Sequence, residues 1–174
     1  MIIDAHNHIN PESWVKPLLK GEKVVTLYEK GVPTVTYSTI MYEIDERVEG
    51  MDRAGVDVTL LYRPSSWSNT LEECREVNDY IGQAVKKHPK RLVGTAHVPP
   101  FGGEKASDEL RRCVNDLGFK AVHLGSSLKE IGLDSPELWP FYREVTRIEI
   151  PIVIHPSMAR GYKHCMDYDL QRII

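Results

Sequence analysis

The chain has 174 residues, 41% hydrophobic and 27% charged, which suits one sizeable core in a soluble globular protein. Its formal net charge of −3, without a basic run, speaks against a nucleic-acid partner, and its apolar stretches are strand-sized, too short to span a membrane. The N-terminus enters an apolar strand pattern without the charged and apolar regions of a signal peptide, and Cys74, Cys113 and Cys165 are odd in number and widely spaced, so a reducing cytoplasm is the expected setting.

The first expected element is a buried strand over residues 2–9, ending in His6-Asn7-His8. Successive strand side chains alternate between faces, so His6 and His8 project together. An H-x-H pair alone also occurs by accident on surfaces and in cores. Its place at a strand end favours metal ligation, and Asp4 can orient a neighbour or help close the turn. Residues 23–28 and 32–37 flank Glu29-Lys-Gly31, the pattern of a β-hairpin that forms a lid or pocket wall beside the two histidines.

A helix is expected over residues 45–55, with Val48, Met51 and Ala54 on one side and Gly55 as its cap. A strand over 56–62 follows and ends at Arg63, before Pro64-Ser-Ser-Trp67. That guanidinium suits a forked pair with a substrate carboxylate, or is an ordinary surface arginine. Trp14 and Trp67 are core residues by default, and aromatic walls otherwise. Thr70-Leu-Glu-Glu73 reads as a capping box opening a helix with an apolar stripe of Cys74, Val77, Ile81, Ala84 and Val85; His88 ends it.

The next strand, 91–98, carries His97, and a helix over 107–117 stops at Gly118. The strand over 119–124 carries Lys120, too early in the strand to bridge metals, and His123, either a satisfied interior histidine or a group lining the pocket. Ser135-Pro136 has the N-cap and first-position pattern of a further helix. The last strand, 151–155, ends in His155-Pro156. A core histidine bonded to backbone is one reading; the other is a third metal ligand, because strand five of a barrel stands roughly opposite strand one. Three histidines with an open position make a catalytic site rather than a closed structural one. His164 and Cys165 read as loop residues. No phosphate-cradling glycine loop and no G-x-S-x-G elbow occurs.

Strands and helices alternate about every 30 residues, the signature of right-handed βαβ crossovers and a parallel sheet. A (β/α)8 barrel has eight such units and typically about 250 residues. Residues 1–174 are therefore read as one domain, with about the first five units of a TIM-like barrel and a hairpin insertion near 23–37, or as an open sheet.

The segments IDAHNHI, RVEGMDRAGVDVTLL, VNDYIGQAVKKHPKRLVGTAHVPP, GFKAVHLGS and IPIVIHPS, in this order, resemble the amidohydrolase-related metal-dependent family. That family includes decarboxylases of the aminocarboxymuconate semialdehyde and resorcylate types and related hydrolases. The resemblance implies a (β/α)8 barrel with a single divalent metal, usually zinc. His6 and His8 correspond to the strand-one ligands and His155 to the strand-five ligand. A catalytic His after strand six and a metal-binding Asp after strand eight belong to the pattern beyond residue 174. Val35 stands where the semialdehyde decarboxylase has a carboxylate-binding Arg.

The expected function is metal-dependent hydrolysis or non-oxidative decarboxylation of a small carboxylated or cyclic substrate, with Arg63 and His123 as substrate-binding candidates. Two other readings stand beside it. One is a truncated or non-catalytic barrel fragment that binds only a metal or ligand and covers its open edges by forming a homo-oligomer. The other is an open α/β domain that holds a small anion at its histidine-rich strand ends.

Overall fold

Five parallel strands, β1 (Ile3–His8), β4 (Val58–Tyr62), β5 (Leu92–Ala96), β6 (Ala121–Gly125) and β7 (Ile152–His155), pair in that order in a computed structural model. The structure describes residues 1–29, 31–63, 69–126, 128 and 131–156. Helices α2 (Ile44–Ala54), α3 (Leu71–Lys87), α4 (Gly103–Asn115) and α5 (Trp139–Arg147) alternate with these strands, and α5 is preceded by a 3-10 turn at Pro136–Leu138. This is a partial parallel (β/α) barrel. Between β1 and α2 lie α1 (Glu12–Leu19), the antiparallel pair β2 (Val24–Glu29) and β3 (Val32–Ser38), and a 3-10 turn at Thr39–Met41. No described helix is long and apolar enough to cross a membrane.

Local chemistry explains most boundaries. Thr70 accepts from the Glu73 amide at 3.1 Å and Glu73 accepts from the Thr70 amide at 2.8 Å, closing the capping box of α3. Gly55 ends α2 at φ 68°, a left-handed conformation that favours glycine. The sequence pattern missed α1, because Pro17 within eight residues reads as a breaker; Pro17 lies in the last turns, and Val15 and Leu19 are buried nonetheless. The helix expected to start at Ser107 begins at Gly103.

The main core lies between sheet and helices. Leu61, Val77, Ile81, Leu92, Leu110, Phe119 and Val122 are all at most 2% exposed, and full burial of such a side chain contributes roughly 1.5–3 kcal/mol. Gly94 admits Phe119 there, since a Cβ at that position would meet the ring at 2.3 Å. Cys74 and Cys113 are buried in this layer.

A buried polar network ties the helices to the end of β5. The Glu109 carboxylate, 1% exposed, accepts from Arg112 at 2.7 and 2.9 Å, from Arg75 at 3.2 Å and from the Asn78 side chain at 2.8 Å. Burial works against its charge, and the hydrogen bonds from Arg112 and Asn78 override it, keeping this carboxyl below its ordinary pKa. Asn78 in turn grips the His97 backbone, donating to its carbonyl and accepting from its amide, both at 2.8 Å.

Candidate metal centre

Strand parity builds the site. His8 pairs with Tyr62 across β1 and β4, and Gly125 pairs with His155 across β6 and β7. Residues in register share a face, so His8 and Tyr62 enter the same side of the sheet; His123, two residues before Gly125, shares the face of His155. The ends of β1 and β7 lie at opposite edges of the five-stranded order, and the curvature of the sheet brings them together.

His6 Nε2 lies 3.1 Å from His8 Nε2, and His8 Nε2 lies 3.1 Å from His155 Nε2. One nitrogen from each of the three lies within 4.8 Å of the others. Two nitrogens each about 2.0–2.1 Å from one ion stand roughly 3–3.5 Å apart for bond angles between octahedral and tetrahedral. The two adjacent pairs meet that spacing, so the donor set fits a divalent cation.

The imidazoles are held in the form that suits a cation. His155 Nδ1 donates to the Pro156 carbonyl at 2.6 Å, leaving the Nε2 lone pair free to face the cluster. Burial, then the neighbouring His155 and His6, push the pKa of His8 down to about 4. Burial lowers that of His155 as well. Both rings are neutral at pH 7.

The backbone beneath them is fixed too. The β1–β4 register shifts between Asp4 and Asn7. There Asp4 accepts from the His6 amide at 3.0 Å and from the Asn7 side chain at 2.8 Å, so its carboxylate closes the bulge. Arg47, 3% exposed, donates from Nη2 to the carbonyls of His8 and Ile40, each at 2.6 Å. Burial lowers its pKa to about 10, which leaves it charged. A cavity of about 470 Å³ opens beside Asp4, His6, His8, Ser38 and Arg47.

Below the cluster, Tyr62 stacks on His123 at 5.2 Å and His123 stacks on His97 at 5.1 Å. His97 Nε2 accepts from the Arg63 amide at 3.0 Å, so Nδ1 carries its proton. His123 is 1% exposed; burial above all, then His155 and His8, push its pKa down to about 3. The Arg63 guanidinium donates to Asn10 at 2.9 Å and to Asn69, and lies 4.8 Å over the Trp14 ring. His88 pairs with Asp45 at 3.0 Å, and Lys120 is exposed ahead of β6. Trp67, His164 and Cys165 lie outside the described residues.

Tyr62 and Arg47 are the neighbours that sequence reasoning overlooked. Tyr62 sits at a strand end like the histidines, one residue before Arg63, which drew the attention instead. Arg47 lies beside Val48 and one turn before Met51, next to the apolar side of α2, a placement that a surface arginine shares, and it is buried with Met51.

Comparisons with known proteins bear on the family and the fold. Residues 3–173 match the family model described as amidohydrolase. The chain is 28% identical over 194 residues to the 2-amino-3-carboxymuconate-6-semialdehyde decarboxylase of Dictyostelium discoideum, covering 99% of this chain and 53% of that protein. It is 31% identical over 125 residues to the γ-resorcylate decarboxylase of Polaromonas sp. JS666, covering 64% of this chain and 38% of the relative. The chain thus spans about half, or less, of the length of these curated relatives. Among solved structures, dihydroxybenzoic acid decarboxylase from Polaromonas sp. JS666, with bound manganese and the inhibitor 2-nitroresorcinol, superposes with a TM-score of 0.67 at 25% identity, over 97% of this chain and 52% of that one. The 5-carboxyvanillate decarboxylase of Novosphingobium aromaticivorans superposes at 0.73 with 19% identity, over 98% of this chain and 55% of that one, a likeness of fold alone. The chain belongs to the amidohydrolase family, and its strands are those of that family's barrel.

Proposed function

We propose that His6, His8 and His155 hold one divalent cation and that the protein is a non-oxidative carboxy-lyase for a small, ring-bearing carboxylate. The observation that carries this reading is the approach of His6 Nε2 and of His155 Nε2, from the two edges of the sheet, to 3.1 Å from His8 Nε2, with one nitrogen of each ring within 4.8 Å of the others. The choice of decarboxylation over hydrolysis is supported by the relatives, several of which are decarboxylases by name.

When bound, a divalent cation supplies positive charge that draws and polarises substrate oxygens. The chain's own groups do the rest of the work open to this half of the barrel. Neutral His8 and His155 leave that charge uncancelled. Arg47 and Asp4 fix the backbone at the β1 end, so the ligand positions are set before substrate arrives. We assign Arg63, held by two neutral carboxamides and an indole, to the substrate carboxylate, and neutral His123 to the pocket floor.

Calorimetric titration with Mn²⁺ and, separately, Zn²⁺ tests the metal half: about one ion per chain is expected, with binding lost in His6→Ala and His155→Ala. No uptake of either ion overturns it. Product analysis of the Mn²⁺-loaded protein with γ-resorcylate, the substrate named for a relative, tests the chemistry. Release of carbon dioxide without a hydrolytic product supports the lyase. Hydrolysis of an ester or lactone instead favours the hydrolase, and metal uptake without turnover of either favours a binding-only fragment.

A further inference from the structure

The Tyr62 ring occupies a special position. Its centroid lies 5.8 Å from that of His6, 5.6 Å from His8 and 5.7 Å from His155. The three imidazoles are themselves 4.9, 5.1 and 5.0 Å apart. Such even spacing places the ring near the axis of the three-histidine group, packed against all its members at once. The planes of His6, His8 and His155 meet it at 53°, 73° and 66°, so each imidazole is tilted against the tyrosine rather than stacked flat on it.

The ring is also anchored. Tyr62 is 2% exposed and pairs in register with His8. His123 stacks against it at an interplanar angle of 21°, and His97 against His123 at 29°. The His97 backbone is gripped by Asn78, which Glu109 holds in turn. A buried, packed ring has one position, and side chains resting on it lose freedom before any ligand binds. Fixing mobile side chains otherwise costs free energy at the moment of binding. His6 is exposed at the sheet edge and gains most from such a neighbour.

We propose that Tyr62 is the positioning residue of the three-histidine centre, its ring rather than its hydroxyl holding the imidazoles at the mutual angles a divalent cation requires. This rests on the assignment of His6, His8 and His155 as ligands. A smaller or flexible aliphatic side chain at this place lets the imidazoles turn, whereas phenylalanine preserves the contact.

The test is Mn²⁺ affinity by calorimetry in the full chain, its Tyr62→Phe and Tyr62→Leu variants, and Leu61→Ala. Leu61 is buried on the opposite face of β4, so its truncation reports general destabilisation alone. The visible absorption of Co²⁺-loaded protein reads ligand geometry in the same set. Tyr62→Phe is expected to bind within about threefold of the native chain with the same Co²⁺ spectrum. Tyr62→Leu is expected to lose tenfold or more, in line with the roughly 10–100-fold effect of groups that orient metal ligands, with an altered spectrum; Leu61→Ala keeps both native. Should Tyr62→Leu not fold, Tyr62→Met takes its place. Native affinity and spectrum in the aliphatic variant overturn the proposal, and so does an equal loss in Tyr62→Phe, which makes the hydroxyl the agent. Metal uptake by the native chain separates these outcomes from failure of the ligand assignment, since a native chain that takes up no ion overturns both.

Discussion

Truncating His155 to alanine removes one of three converging donors while leaving the β1 pair 3.1 Å apart. Four-ligand structural zinc sites are worth about 10–16 kcal/mol at neutral pH, or roughly 3–4 kcal/mol per ligand. The loss of one of three histidines therefore weakens binding by roughly 10²–10³-fold. His155 ends an edge strand and its Nδ1 bonds only to its neighbour's carbonyl, so the cost to metal-free folding is small. Calorimetric titration with Mn²⁺, alongside thermal unfolding of the metal-free protein, separates the two effects. Affinity within a few-fold of native, at unchanged stability, would refute the ligand assignment.

Other outcomes follow from the same contacts. Metal-free stability falls as pH drops from about 6.5 towards 4: the unfolded chain takes up a proton at His8 that the folded one refuses, since its pKa there is about 4. The effect is at most about 3 kcal/mol and is reduced by the solvent His8 still meets; urea unfolding at pH 7 and pH 5 reads it, and equal midpoints contradict it. Gly94→Ala drives a Cβ into the Phe119 ring and costs about 1–3 kcal/mol, seen as a lowered melting temperature. Glu109→Leu leaves the buried Asn78 side chain without that acceptor, while Arg112 keeps Asp79, and destabilises by about 1–3 kcal/mol in denaturant unfolding. Arg47→Met strands the carbonyls of His8 and Ile40 and lowers both stability and Mn²⁺ affinity, whereas loss of stability alone would detach Arg47 from the site.

The strands were legible because parallel strands covered by helices read as apolar runs; four of the five runs contain their strand whole, and the run over 119–124 falls one residue short of the end of β6 at Gly125. The capping box at Thr70 and the glycine after Ala54 marked helix ends through local chemistry alone. No element was expected at α1, where Pro17 forfeits one backbone bond in an eight-residue helix and the burial of Val15 and Leu19 against neighbouring elements holds it. At the site, period-two alternation showed that His6 and His8 share a face. The approach of His155 depends on sheet curvature, which no local pattern encodes, and entered only through the assumption of a barrel. The parts played by Tyr62 and Arg47 were hidden for the same reason: a tyrosine at a strand end looks like core, and a single arginine on a helix looks like surface, until the strands around them close.

The most direct measurement is an anomalous difference map from crystals grown with Mn²⁺. One peak per chain, bonded at about 2.0–2.3 Å to Nε2 of His6, His8 and His155, is the expected result. A map without a peak at these three nitrogens, in protein whose β1 and β7 ends are ordered, would contradict the account.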